Sequence, residues 1–408
     1  GEEIRVAERN SMHALNGDRV EVSIAARIKG HEPEAEVTRI IEKKDQTFIG
    51  TIKVDRHIAY LLTDSKFLAN DIYIPKGRLK GANNGDKVIV RITDWPDDAK
   101  NPQGEVVDVL GKTGQNTTEM HAILAEFGLP YRYPEAVEKA ADKIDAGITD
   151  EEVARREDMR GVTTFTIDPR DAKDFDDALS FRRLKNGHYE VGVHIADVTH
   201  YVKPGSIIER EAEDRATSVY LVDRTIPMLP EHLSNGICSL RPEEDKLTFS
   251  VIFEMDNNAH VLGSRIVRTV IRSNRRFTYE EAQEVIETGK GDFADEILTL
   301  DKLAKQLRKS RYDNGSVDFD RVEVRFDIDE NGHPTSVFFK ESKDANKLIE
   351  EFMLLANRTV ASAIGVVPKK KKAKAFVYRV HDKPDEQRLS DLANLARTFG
   401  YKLRTKGT

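Results

Sequence analysis

Over the first 112 residues, apolar and polar positions alternate in short runs separated by glycine-bearing turns. Asn16-Gly17-Asp18-Arg19-Val20-Glu21-Val22 recurs 68 residues later as Asn84-Gly85-Asp86-Lys87-Val88-Ile89-Val90. In step with it, Glu36-Val37-Thr38-Arg39-Ile40 recurs as Glu105-Val106-Val107-Asp108-Val109. Each Asn-Gly-Asp predicts a turn that feeds an alternating strand. From 113 to 160 the pattern takes helical spacing, over Glu119 to Phe127 and Glu135 to Ala146, broken by Gly128-Leu129-Pro130. Beyond 161 strands and helices mix. Val162, Phe165 and Ile167 alternate into Pro169, which ends the strand. His188 to Val202 alternates too, with Tyr189, Val191, Val193 and Ile195 pointing one way. Leu247 to Met255 and Ser264 to Ile271 predict strands, and Glu209 to Ala216 a helix. Tyr220 to Pro230 predicts an irregular loop. Thr278-Tyr279-Glu280-Glu281 is a capping box that opens a helix. A further helix is predicted from Asp344 to Ile364, with Leu348, Phe352, Leu355 and Thr359 as its buried stripe.

The repeat length, short strands and Gly-rich turns predict five-stranded barrels of the OB type. Few residues precede the first Asn-Gly-Asp, so the first barrel is expected to be partial. The expected organisation is multidomain: a partial barrel over 1–45, a second over 46–112, a helical connector over 113–160, and a mixed α+β domain over 161–408. A chain of 408 residues is long enough for two to four such units. It has no run of 18 apolar residues, and its start, GEEIRVAERN, has no signal-peptide pattern. The one cysteine, Cys238, lies in an apolar patch and reads as a packing thiol in a reducing compartment. The net charge of −7 argues against a charge-driven nucleic-acid binder but leaves room for a local basic groove.

The densest chemistry is in 162–180, where Asp168, Asp171, Asp174, Asp176 and Asp177 fall within ten positions. Like charges packed this closely repel unless a cation neutralises them. Hard divalent cations take oxygen ligands. A solvated acidic loop is the simplest competing explanation, but apolar Ala178-Leu179 and Phe181 resume burial at once. An EF-hand loop would need Gly at its sixth position and Glu at its twelfth, and neither fits. A metal site for phosphate chemistry is the preferred reading. His194, Asp197 and His200 have the three-residue spacing of a zinc set, but period-two alternation scatters them, so structural polar roles are expected. Arg268 and Arg272, with Arg275 and Arg276 beyond, suit either phosphates or a solvated face. The charges of Asp150 to Arg160 and the run Lys369 to Lys372 read as solvated. In the second barrel, His57-Ile58-Ala59-Tyr60-Leu61-Leu62 presents a single aromatic, so weak binding of single strands is expected there.

Thr166-Ile167-Asp168 followed by Asp174-Phe175-Asp176-Asp177-Ala178-Leu179 resembles the catalytic signature of the ribonuclease II / ribonuclease R exoribonuclease family, ribonuclease R more closely. The similarity continues through Val193-His194-Ile195-Ala196-Asp197-Val198, Ile226-Pro227-Met228-Leu229-Pro230, and Leu233-Ser234-Asn235-Gly236-Ile237-Cys238-Ser239-Leu240. It extends to Leu348-Ile349-Glu350-Glu351-Phe352 and to Tyr378-Arg379-Val380-His381-Asp382. The resemblance implies cold-shock-like barrels followed by an RNB catalytic domain. It implies Mg²⁺-dependent, processive 3′→5′ hydrolysis of RNA to nucleoside 5′-monophosphates, by a cytoplasmic monomer acting on a single-stranded 3′ end with no membrane partner. It assigns Asp168, Asp174, Asp176 and Asp177 to the metal and to catalysis, and leaves Asp171 aside. It places Tyr220 and Phe319 on either side of the 3′-terminal base, and Tyr279 and Glu350 at the terminal ribose.

The family pattern continues beyond this chain with a Ser-Pro-Ile-Arg-Arg-Tyr-like segment and an S1-type barrel. Neither is found in these residues, and the first barrel is clipped. The expectation is therefore a fragment that binds Mg²⁺ and RNA but degrades RNA poorly. The competing functions are a non-catalytic RNA-binding protein with tandem barrels and a metal-dependent phosphatase of a small substrate.

Overall fold

A computed structural model of the chain describes residues 3–24, 34–44, 46–55, 58–65, 68, 70–96, 99–317, 323–329, 333–366, 372, 374–377 and 382–403. The first strands, β1 (Arg5–Val6), β2 (Arg19–Ile24) and β3 (Glu34–Glu42), form a three-stranded sheet in the order β1-β3-β2. Strands β4 (Thr47–Val54), β5 (Ala59–Thr63), β6 (Ile72–Ile74), β7 (Asp86–Asp94) and β8 (Gln103–Lys112) close into a barrel. The barrel is filled by Ile52, Leu61, Ile72, Ile74, Val88 and Val90. The two Asn-Gly-Asp turns are built alike. Gly17 and Gly85 take positive φ, +93° and +81°, which glycine adopts at little cost. Asp18 accepts from the Leu15 N–H at 2.8 Å, and Asp86 from the Asn83 N–H at 2.7 Å. The repeat is therefore a repeat of turn chemistry and not of spacing alone.

The connector holds α1 (Asn116–Glu126), α2 (Glu135–Ala141) and α3 (Asp150–Ala154), the last capped by the Thr149 hydroxyl. Both predicted connector helices are present but end earlier than their patterns do. The sheet that follows comprises β9 (Glu157–Asp158), β10 (Thr164–Asp168), β11 (Asp177–Arg183), β12 (Tyr189–Ala196), β15 (Asp245–Met255), β16 (Val261–Arg272) and β17 (Arg275–Thr278), in the order β17-β10-β11-β12-β15-β16-β9. Between β12 and β15 lie α4 (Val198–Tyr201), α5 (Ile207–Arg215), the small hairpin β13 (Val219–Tyr220) and β14 (Thr225–Ile226), and a wide π-type turn, His232–Ile237. The predicted irregular loop at 220–230 is thus a hairpin over its first half. After the sheet come α6 (Tyr279–Thr288), α7 (Ala294–Asp313), the pair β18 (Glu323–Ile328) and β19 (Pro334–Lys340), α8 (Asp344–Gly365) and α9 (Glu386–Thr398).

Each face of the sheet carries a buried apolar cluster. Leu179, Phe181, Val191, Val193, Val251 and Phe253 pack with α6, α7 and α8 through Ala282, Leu300, Leu348 and Phe352. The other face carries a buried hydroxyl ladder. His194 is fully buried, with Nδ1 2.7 Å from the Ser250 hydroxyl and Nε2 2.8 Å from that of Ser180. Burial holds its ring well below the ordinary histidine range, at about 3. Both ring nitrogens are engaged, as the structural expectation for His194 requires. Asp197 pairs with Arg156 at 2.7 Å. This corrects one expectation: 150–160 is not simply a solvated face, because the Arg156 side chain is wholly buried. Arg156 follows the C-cap of α3, and Glu152 and Asp197 hold its guanidinium inward.

Candidate active site

Asp168 is the last residue of β10, where parallel pairing sets it beside Thr278 of β17. Pro169 cannot continue the ladder, and the chain makes an excursion over 169–176 before Asp177 opens β11 opposite Ile195. Side chains remote in sequence hold that excursion. Arg276 donates to the carbonyls of Pro169 and Arg170, the latter at 3.0 Å, and lies 5.4 Å from the Phe175 ring centroid. The buried Ser239 hydroxyl accepts from the Phe175 N–H at 3.0 Å and donates to the Lys173 carbonyl at 2.8 Å. The Leu240 N–H reaches the Phe175 carbonyl at 2.8 Å, and the Ala196 N–H the Asp176 carbonyl at 3.0 Å. Lys246 supports the π-type turn before Ser239 by donating to the Gly236 and Ile237 carbonyls, at 2.9 and 3.1 Å. Nearby Cys238 is buried, and burial chiefly pushes its thiol up to about 12, out of the range of a nucleophile.

The carboxylates resist ionisation. Burial pushes Asp168 up to about 7, with Asp177 and Asp174 adding to it and the nearby Thr166 hydroxyl and Arg276 opposing it. Asp176, although exposed at the surface, is raised by desolvation of its carboxyl and by Asp174, and burial and Asp176 push Asp177 up to about 6. Asp168 is itself buried, and its Oδ2 has no hydrogen-bond partner. As placed, no three His, Cys, Asp or Glu side chains among the described residues form a group that could hold a metal ion. What fits a cation is the donor chemistry: three carboxylates whose ionisation is held back, with Asp174 beside them, and one buried oxygen without a hydrogen-bond partner.

Two tyrosines flank the acids. Tyr279, at the start of α6, is pushed up to about 12 by burial and then by Asp177 and Asp168. Tyr220 is raised by burial and then by Asp174 and Asp176, although the residue is 70% exposed. Its hairpin is tied to the connector: Arg224 donates to the Asn116 side chain at 2.7 Å, and the Tyr133 hydroxyl donates to the Pro227 carbonyl. Electrostatic coupling links Asp168, Asp174, Asp176 and Asp177 with one another and with Tyr220 and Tyr279. Glu350 is placed otherwise: it is exposed on α8 and lies 3.7 Å from Arg311, which chiefly serves Glu351 at 2.6 Å. Phe319 lies outside the described residues, as do Tyr378 to His381 and Lys369 to Lys371.

Nothing in the sequence marks Ser239, and Arg275 and Arg276 suit phosphates or a solvated face equally there. Arg275 in fact pairs with Asp292 and with Glu281, the latter at 3.4 Å. On the barrel, Tyr60 has an unforeseen partner. Cross-strand register sets Tyr73 opposite it, with ring centroids 5.7 Å apart.

Comparison with known proteins places these features in context. Residues 156–406 match the family model of the RNB domain, and residues 60–134 that of the cold shock domain. Ribonuclease R of Thermotoga maritima is 37% identical, over 99% of this chain and 57% of that protein. The solved structure of Mycoplasma genitalium RNase R in complex with ribose methylated single-stranded RNA matches with a TM-score of 0.86 at 25% identity, over 98% of this chain and 63% of that one. Yeast Ssd1, described as a pseudonuclease, shares the fold at a TM-score of 0.63 and 18% identity, over 97% of this chain and 49% of that one. The chain thus spans less than two thirds of the length of these relatives.

Proposed function

The chain belongs to the RNB-domain family of ribonuclease II and ribonuclease R, and from that premise we propose that it hydrolyses single-stranded RNA processively from the 3′ end, releasing nucleoside 5′-monophosphates with Mg²⁺ as cofactor. The observation that carries this is the loop of carboxylates whose ionisation is held back, with the unpartnered Oδ2 of Asp168 at its floor. Asp168, Asp174, Asp176 and Asp177 would hold the cation, which supplies polarisation of a phosphoryl oxygen and activation of water. The exposed Tyr220 ring offers a base-tolerant stacking surface for the 3′-terminal nucleotide. Tyr279 stands beside Asp168 and Asp177, where a hydroxyl can meet a ribose 2′-OH; Phe319 and Glu350 are proposed to complete the base stack and the ribose contact. We place the protein in the cytoplasm as a monomer. Among the described residues no helix is long and apolar enough to cross a membrane.

End-labelled RNA tests the proposal. With Mg²⁺ and a 3′-hydroxyl strand, 3′ label is released at once as monophosphate, while 5′ label persists in a shrinking strand. EDTA stops both. Internal cuts, or RNA bound in Mg²⁺ without loss of length, count against it. The second outcome favours a non-catalytic RNA-binding role.

The Ser239 clamp makes a further prediction. In Ser239→Ala the Phe175 N–H and the Lys173 carbonyl lose their partner, at a cost of about 1–3 kcal/mol. A misplaced aspartate loop is expected to slow single-turnover hydrolysis on the order of 10²-fold. Lost stability with an unchanged rate makes Ser239 structural only.

A further inference from the structure

We propose that Phe249 and Arg268 form a nucleotide subsite continuing the aspartate cluster across the sheet, with one base of single-stranded RNA on the Phe249 ring and a neighbouring phosphate on the Arg268 guanidinium. It rests on the exoribonuclease function proposed above.

Register draws the line. Asp177 of β11 stands opposite Ile195 of β12, Ile195 opposite Phe249 of β15, and Phe249 opposite Arg268 of β16. Directly opposed residues share a face of the sheet, and strands lie about 4.8 Å apart. The row therefore starts at a proposed metal ligand and reaches a guanidinium roughly 15 Å away. The next row on the same face, Leu179, Val193, Val251 and Ile266, is packed beneath α6 to α8. The first row lies outside that cover: Ile195 is 42% and Phe249 44% exposed, although both sit on central strands. Apolar side chains left wet in the middle of a sheet mark a surface that something else covers.

Charge selects the occupant. The Arg268 guanidinium lies 5.8 Å from the Phe249 ring centroid, and its side chain is 54% exposed. Its nearest carboxylate, Asp197 at 3.7 Å, is already served by Arg156 at 2.7 Å and by the Thr199 hydroxyl at 2.6 Å. An arginine fork has five donors, so capacity for a phosphate is left over. Ring and guanidinium side by side, in line with the carboxylates, match the alternation of base and phosphate along one strand. A polypeptide cover would require only the apolar pair.

The test is RNA affinity of the whole chain in EDTA, with fluorescent 3′-hydroxyl RNAs of 2, 5 and 10 nucleotides. Phe249→Ala and Phe249→Leu are both expected to weaken the 10-mer about 5- to 100-fold, with little effect on the dinucleotide. Arg268→Gln is expected to lower the slope of log affinity against log salt by about 0.7. If Phe249→Leu binds as the parent does, or if Phe249→Ala melts lower without losing affinity at any length, the strip is packing for polypeptide and the subsite is wrong. Failure of the parent to hydrolyse RNA in Mg²⁺, with the length-dependent affinity losses intact, overturns the enzymatic function and leaves the subsite standing.

Discussion

At pH 8 without divalent cations, Asp168→Asn is expected to melt higher than the parent, and with Mg²⁺ to hydrolyse RNA on the order of 10³-fold more slowly. The two effects have one origin. The Asp168 carboxyl is pushed from 3.8 up to about 7, by burial first and by Asp177 and Asp174 next. A carboxyl with a raised folded-state pKa favours folding in its protonated form. Its contribution is fully present below pH 3.8 and is lost as pH rises through about 7. At pH 8 the metal-free parent therefore carries an ionised buried acid, at a cost of up to about 4 kcal/mol. Asparagine removes that charge and keeps the shape, so the gain in midpoint should be largest at pH 8 and vanish near pH 4. Mg²⁺ should stabilise the parent at pH 8 and the variant much less. The rate falls because a neutral amide is a poor ligand for a hard cation, and a 10³-fold loss corresponds to about 4 kcal/mol of transition-state stabilisation. Asp176→Asn should lose a similar share of the rate with a smaller gain in midpoint, because Asp176 is more exposed and its shift is smaller. If Asp168→Asn melts lower than the parent at pH 8 in EDTA, Asp168 is an ordinary structural acceptor and not the floor of a cation site.

The aspartate turn is legible in the sequence because the features that make it are local. Alternation into Ile167 buries a strand, Pro169 ends it, and the acids follow within a few residues. The Asn-Gly-Asp turns and the Thr278 capping box are legible for the same reason, since donor and acceptor lie three residues apart. What holds the turn in place is not legible. Ser239 and Arg276 reach the excursion from 64 and 106 residues away, and no periodicity announces a serine that bridges two backbone groups. Tyr73 escapes notice because strand register, which only folding sets, brings it opposite Tyr60. Arg268 and Arg276 look alike in the sequence, yet one lies against an exposed phenylalanine and the other holds backbone carbonyls.

Arg156 shows the same limit at its largest energetic effect, and Arg156→Ala is expected to cost about 3–5 kcal/mol of stability at pH 7. Charge alone makes 150–160 read as a solvated stretch. Yet the Arg156 side chain is fully buried, donating to Asp197 at 2.7 Å, to Glu152 at 2.6 Å and to the Thr248 carbonyl at 3.3 Å. An exposed pair would be worth about 0–1 kcal/mol; here, removing the cation strands a buried carboxylate. Burial pushes Asp197 up, but the Thr199 hydroxyl, Arg156 and Arg268 outweigh it and hold the carboxyl below 3.8. Its contribution to stability is thus present above pH 3.8 and lost as pH falls through the lowered value. In Arg156→Ala burial prevails instead, so urea unfolding should show a parent–variant gap that is widest near pH 7 and narrows toward pH 3. Pairing Arg156→Met with Asp197→Leu should recover much of the loss, because both charges leave the interior together. The damage should also reach the active site. Asp197 follows directly on Ala196, whose N–H holds the Asp176 carbonyl, so the single variant should slow RNA hydrolysis even at temperatures where it remains folded. A cost under about 1 kcal/mol, unchanged between pH 7 and pH 4, would show that the pair behaves as a surface pair and does not anchor the strand end beneath the aspartates.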